Sequence, residues 1–393
     1  QRLVSNNPAA IPSGIRFIRL ILGGAVVDSV SLGTGIIDQF FTSSSAGFGV
    51  GEFGVILRTT SGGLNWAPQI SGTAQHLRSV FMATATTGWT VGDSGVILRT
   101  TNGGANWTAQ TSGTIQSLRA VHGVSGNVNA AWAVGTAGVI LNTTNGGTNW
   151  IARTSGTTRR LNAVFATAAT VVWAAGDSGT LLKSVNGTTF NSVSSGTQQN
   201  LHAVRFAPGS STQGWVAGAG GTLRKTLDSA NWTPRASNTT QDLHALFIQS
   251  ATSVAYAAGA GGTLLKTTDS STWTAQASGT TLTLTTVQAF GVDSAFAAGP
   301  DAPFLSIANA ASSSAWTATH AGGRGFDKLL AYKRMLPGVV NTLVLQAIDT
   351  TAGPLRGYEF VSDLNVPAGK DTTLTVNLLD LCGYAGTPAC TVP

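Results

Sequence analysis

One spacing governs this chain: a large aromatic residue returns every 40 to 43 positions, at Trp66, Trp107, Trp150, Phe190, Trp232, Trp273 and Trp316. A Val-Gly or Ala-Gly pair keeps the same interval, with its glycine at Gly51, Gly92, Gly135, Gly176, Gly218, Gly259 and Gly299. Two markers in step define seven copies of one unit. Each copy reads as four short strands. The first resembles Leu77 to Phe81, the second Gly88 to Gly92, the third Val96 to Thr101, and the fourth starts at the closing aromatic. Glycine-rich turns such as Gly92-Asp93-Ser94-Gly95 join the second and third strands as a hairpin. Four antiparallel strands per unit make a propeller blade, and a blade buries both its faces only by packing on neighbours around an axis. The expected fold is all-β, a seven-bladed β-propeller over residues 35–322. A parallel β-solenoid is the competitor, but its coils are shorter and lack this hairpin.

The connection from third to fourth strand carries a finer signature. Thr100-Thr101-Asn102-Gly103-Gly104-Ala105-Asn106-Trp107 and Thr143 to Trp150 resemble the Asp-box of sialidase-type propellers. There the short Asx side chain bonds nearby backbone amides, Gly takes a positive φ and the aromatic plugs between sheets, so the box is a folding device. Units four to six are one residue shorter here, and the seventh, Ser306 to Trp316, has lost the pattern, which predicts an irregular last blade. As a set, the units resemble the lumenal propellers that assist photosystem II assembly and their bacterial relatives, in strings such as Gly95 to Trp107. The resemblance implies the fold and leaves function open.

The flanks supply further strand candidates: Ile15 to Ile21 and Ala25 to Leu32 before the propeller, then Lys328 to Leu336, Val339 to Ile348, Leu355 to Val361 and Leu374 to Leu379 after it. Two strands alone are marginal, so residues 15–34 and 323–393 are expected to form one small β-sandwich with the propeller inserted into it. A propeller whose end blades are each complete has no shared strand to lock it, and pairing the flanks would tie it shut. Residues 1–14 read as a free arm. Ile15-Arg16-Phe17, Val27-Asp28-Ser29-Val30, Tyr332, Pro337-Gly338 through Leu343, and Ala368-Gly369-Lys370 through Thr373 resemble a family of uncharacterised immunoglobulin-like modules of extracellular bacterial proteins.

Cys382 and Cys390 flank a Gly- and Pro-containing loop, which predicts a local disulfide and an oxidising compartment. The chain is therefore expected to be secreted, periplasmic or at the cell surface, with an export leader removed ahead of Gln1. No apolar run approaches a membrane span. The excess of 22 Lys and Arg over 16 Asp and Glu is spread thinly, with no run longer than Arg159-Arg160, so nucleic acid is not an expected partner.

Little points to chemistry. Sialidase-type hydrolysis needs an arginine cluster with Tyr, Glu and Asp, whereas the two glutamates, Glu52 and Glu359, lie in separate regions. Five histidines, His76, His122, His202, His244 and His320, lack metal-ligand spacing, and no cofactor motif is present. No catalytic residue, metal or cofactor is expected. The remaining candidate is an axial row at the second position of each first strand: Asp38, Arg78, Arg119, Asn162, His202, His244 and Thr285, thickened by Arg159 and Arg160. It is read either as channel lining or as a site for an acidic ligand that tightens as His202 and His244 gain charge near pH 6.5. A third-strand row, Arg58, Arg99, Asn142, Lys183, Arg224 and Lys266, reads as solvated surface. The sequence thus favours a non-catalytic interaction or scaffold protein with a protein partner. A self-associating subunit of an extracellular filament or surface layer, using the free arm, comes second. A glycan-binding or degenerate glycosidase-like propeller comes third.

Overall fold

The computed structural model describes residues 36–308, apart from 65, 250–253, 291–293, 301 and 303, and the backbone strands within 2–4, 15–22, 25–31, 317–319, 340–349, 356–365 and 373–375. Two compact units emerge, Thr34–Ala321 and the pair Gln1–Gly33 with Gly322–Pro393.

The larger unit is a seven-bladed β-propeller. Its first strands are Ile36–Phe41, Leu77–Met82, Leu118–Gly123, Leu161–Ala166, Leu201–Phe206, Leu243–Ile248 and Thr286–Phe290, and these number the blades 1 to 7. Every blade is a four-stranded antiparallel meander in chain order, the seventh included. In blade 2, Leu77–Met82 pairs with Gly88–Gly92, which pairs with Ile97–Thr100, which pairs with Thr108–Gln110. The fourth strand thus begins one residue after the closing aromatic.

The second-to-third hairpin turns on two residues of positive φ, Ser94 at 54° and Gly95 at 72°, with Val96 N–H donating to Asp93 C=O at 3.1 Å. This is a type I′ turn, whose twist matches the strands it joins. Gly95 is required twice over, because a Cβ there would also lie 2.0 Å from the carbonyl oxygen of Thr114. That carbonyl belongs to a Ser-Gly-Thr loop, Ser112-Gly113-Thr114, that leads into the next blade. The tripeptide recurs at Ser71, Ser155, Ser195 and Ser278, each time laying its threonine carbonyl against a hairpin glycine. Asn238 stands for the central glycine in one copy, at φ 56°.

The core lies between blades. Each described closing aromatic is buried against the second-strand aromatic of the preceding blade, edge to face in Trp107 on Phe48, Trp232 on Trp173 and Trp273 on Trp215. Second-strand rings also carry a cation from their own third strand: Arg99 over Trp89 at 5.8 Å, Lys183 over Trp173 at 5.0 Å, Lys225 over Trp215 at 5.3 Å and Lys266 over Tyr256 at 5.8 Å. Lys183 Nζ then donates to Ser229 Oγ at 2.8 Å, in the Asp-box of the next blade. The third-strand row is therefore an inter-blade tie at Lys183, while its Arg58 is exposed, as a solvated surface requires. Its blade 5 member is Lys225, because Lys225 occupies the register of Lys183 and Lys266, while Arg224 donates instead to the carbonyl of Trp232.

Blade 7 meets blade 1 without exchanging a strand. The Gln288 side-chain amide accepts from Phe41 N–H at 2.8 Å and donates to Phe41 C=O at 2.9 Å, while Thr285 Oγ1 donates to Ile37 C=O at 2.7 Å. Phe41, Trp66, Phe296 and Phe304 pack around these bonds. At the second-to-third turn of blade 7, Ala302 N–H donates to Gly299 C=O at 3.1 Å.

In the smaller unit, Ile15–Leu22 pairs with Ala25–Ser31 on one side and Val340–Asp349 on the other, and Arg356–Asn365 completes a four-stranded antiparallel sheet. The arm is not free: Arg2–Val4 pairs in parallel with Thr373–Thr375. Trp316, Tyr332, Cys382 and Cys390 lie outside the described residues, and the disulfide with them.

Candidate functional site

The axial row owes its placement to a β-bulge. In blades 2 to 6 the ladder register shifts between the first and third residues of the first strand, as at Leu77/Ser79 and Leu118/Ala120. Arg78, Arg119, Asn162, His202 and His244 are the extra residues, and a bulge re-aims its side chain and ends regular pairing. The row members reach one another and the neighbouring blades. The rings of His202 and His244 sit 5.1 Å apart, and Asn162 Nδ2 donates to Leu201 C=O at 3.0 Å.

Blade 1 breaks the expectation. There the shift falls between Ile36 and Asp38, so the bulged residue is Ile37, and Asp38 is one step further along the strand. Its half-buried carboxylate accepts from Val80 N–H at 3.0 Å and Gln39 N–H at 2.9 Å. Loss of water pushes its pKa up, with these bonds and the charge of Arg205 opposing. Arg205, on blade 5, lies over the ring of Phe165 at 5.5 Å and bonds Val204 C=O. His122 stands in the same level of the first strands between Phe81 and Phe165, at 4.6 and 4.3 Å. Its Nδ1 accepts from Ala166 N–H, and burial together with Arg205 holds its pKa well below 6.5. These groups are interior structure.

Charge in the axial row is unevenly compensated. Arg78 forks onto Asp93 at the hairpin tip of its own blade, with Nη2 to Oδ2 at 2.7 Å. Burial raises the Asp93 carboxyl, but bonds from Arg78 and Ser117 outweigh it and the pKa falls. Blade 4 repeats the arrangement with two donors, since Asp177 accepts from Asn162 at 2.9 Å and from Arg160 at 3.2 Å. Arg159 is exposed, its guanidinium donating to Ser178 C=O at 3.4 Å and its backbone N–H to Thr157 Oγ1 at 3.1 Å. Blade 3, between them, has Thr136 at the hairpin position taken by Asp93 and Asp177. Among the described residues, Arg119 has no hydrogen bond or ion pair. Burial first, then the charges of Arg78 and Arg160, lower its pKa, so it is a half-buried cation pressed between two others.

Burial works against charging of both histidines. Burial, reinforced by His244, pushes His202 down to about 4, and burial lowers His244 as well. Desolvation in the row thus opposes the expected charging near pH 6.5, most strongly at His202. Two shallow grooves of about 770 and 860 Å³ lie between Ser-Gly-Thr loops of blades 1 to 3, with mixed polar and apolar walls, and Arg159 borders the first. The feature missed from sequence was the acid partner. Arg78 and Asp93, like Asn162 and Asp177, stand 15 residues apart, a separation visible in the repeat once first strand and hairpin tip are known to meet.

This architecture defines a seven-bladed propeller with Arg78, Arg119, Asn162, His202 and His244 on the bulges of its first strands. The chain belongs to the photosynthesis system II assembly factor YCF48 family, whose model matches residues 27–307. No curated protein matches it. Among solved structures it is similar to YCF48 from Cyanidioschyzon merolae, at 20% identity and a TM-score of 0.58, covering 74% of this chain and 99% of that one. A YCF48 bound to a D1 peptide gives 21% identity and a TM-score of 0.57, covering 78% and 99%. A GH74 enzyme of Niastella koreensis gives 14% identity and a TM-score of 0.60, covering 92% and 62%. At these identities the likeness speaks for the fold.

Proposed function

We propose that this protein is a non-catalytic assembly or scaffold factor whose axial mouth, centred on Arg119, captures an acidic segment of a protein partner. The observation that carries the reading is that Arg119, among the described residues, makes no hydrogen bond or ion pair, with Asp93 and Asp177 acting on it only from a distance. A half-buried cation with cationic neighbours is costly, and an incoming carboxylate would relieve it through a charge-assisted hydrogen bond. The YCF48 described with a D1 peptide supports a peptide as the class of ligand. A glycosidase reading finds little footing at this mouth. Asp93 and Asp177 are committed to cations there, and Asp38, the carboxylate with a raised pKa, is tied to backbone amides in the interior. Export to an oxidising compartment, with Cys382 and Cys390 bridged and the flanks forming an immunoglobulin-like mount, belongs to the same proposal.

The test is binding of a fluorescent polyglutamate peptide, with polylysine of equal length as control. Arg119→Ala should keep the fold and lose about 1.5–3 kcal/mol of polyglutamate affinity, the worth of a hydrogen bond to a charged group. Equal affinity in the variant and the parent removes the mouth as the site.

A further inference from the structure

The chain has three Asn-Gly steps, Asn102-Gly103, Asn145-Gly146 and Asn186-Gly187, all in Asp-box turns. From the backbone ties around them we propose that Asn186 is a self-modification site: it deamidates through a succinimide while Asn102 and Asn145 are protected. In this reaction the Gly amide nitrogen loses its proton to hydroxide and attacks Cγ of the preceding Asn. A C–N bond forms and ammonia leaves. Water then opens the ring at either carbonyl, giving Asp or isoaspartate. The attack needs a Gly N–H that is free to ionise and pyramidalise.

Two of the three glycines are not free. Gly103 N–H donates to Thr86 C=O and Gly146 N–H to Asn129 C=O, both at 2.9 Å. Gly62 N–H in blade 1 and Ser229 N–H in blade 5 make the same bond, to Ser45 C=O at 2.7 Å and Thr212 C=O at 3.2 Å. The acceptor is always the middle residue of the first-to-second hairpin, and a side chain holds it in place. Ser43, Thr84, Asn127 and Ser210 each accept, through a side-chain oxygen, the N–H groups two and three residues on. Such Asx and Ser/Thr turns fix the peptide plane that follows.

Blade 4 has Ala168 at that position. With no side-chain acceptor, the turn closes on its backbone instead, Val171 N–H donating to Ala168 C=O at 3.3 Å. Among the described residues, Gly187 N–H has no acceptor. At the same time the electrophile is well held. Asn186 Oδ1 accepts from Thr188 N–H at 3.0 Å, Thr189 N–H at 2.8 Å and Thr188 Oγ1 at 3.0 Å. Donors converging on a carbonyl oxygen stabilise the oxyanion that forms on attack. The Asp product fits the turn, because Asp228 and Asp269 occupy the equivalent place in blades 5 and 6 and accept the same two amides. Isoaspartate, with an extra backbone carbon, does not.

The full-length protein is aged at mildly alkaline pH and mapped by peptide mass spectrometry that separates Asp from isoaspartate, with hydroxylamine to trap the succinimide. Conversion at Asn186 should lead that at Asn102 and Asn145 by about tenfold, the cost of first breaking one backbone hydrogen bond. Ala168→Ser should slow Asn186 to the rate of the other two. Equal rates at all three sites in the parent protein overturn the proposal without any variant, and an unchanged Asn186 rate in a folded Ala168→Ser protein does so as well.

Discussion

Two rows of cations run around this propeller with the same sequence period, and they do opposite things. On the third strands, Arg99, Lys183, Lys225 and Lys266 sit over buried aromatic rings, and Lys183 and Lys225 reach polar atoms of the next blade. On the first strands, Arg78 is satisfied by a carboxylate and Arg119 is left unmatched. A repeated charge therefore has no fixed meaning. A cation over a tryptophan is a packing group, and the same charge on a bulge beside other cations is an invitation to an anion.

The strongest attempt to break this contrast is the pair Lys183→Ala and Lys225→Ala. Together they should lower unfolding free energy in urea by about 2 kcal/mol, from two partly desolvated cation–π contacts, and leave polyglutamate binding unchanged. A fall in binding as well as stability would merge the two rows. A smaller effect sharpens the axial side. Asp93→Asn releases Arg78 and should tighten polyglutamate capture by about 1 kcal/mol, the upper range for a partly exposed ion pair. Capture that does not change would mean Arg78 faces away from the ligand.

The smallest effect is in pH. An imidazole held at about 4 in the fold, against about 6.5 unfolded, binds its proton more readily in the unfolded chain. The stability it contributes is complete above about 6.5 and drains away as pH falls toward 4. Melting temperature should decline across that window, with His122 contributing in the same direction. His202→Asn should make the decline shallower by a few degrees. A slope identical to the parent's would assign the acid sensitivity elsewhere.

Much of the propeller was legible because its strongest signals are local. Gly88 to Gly92 and Gly214 to Gly218 fall on strands with those bounds, and the closing tryptophans do plug between sheets. Two of the readings that slipped did so by one residue, for physical reasons. The bulge at Ile37 displaces Asp38 from the axial row, and the adjacent cations Arg224 and Lys225 cannot be ranked until the ladder says which one faces Trp215. The site was half visible. Its arginines stand out in sequence, but their compensation by Asp93 and Asp177 depends on hairpin tips folding back over the bulges. The depressed histidines depend on desolvation, which no spacing reveals.

The clamp between Gln288 and Phe41 has a consequence for how the ring comes into being. Each blade is complete in one continuous stretch, so as the chain leaves the ribosome every new blade finds its predecessor already made. Within the propeller this seam must wait, since its partners are separated by 247 positions. Closing so long a loop is penalised only logarithmically in length, so the delay is a matter of synthesis time more than of free energy. Until residue 288 emerges, the flank of blade 1 that carries Phe41 and Trp66 has no cover. In that interval the unfinished protein is a sticky crescent, and chaperone binding during translation should track the wait for the seventh blade.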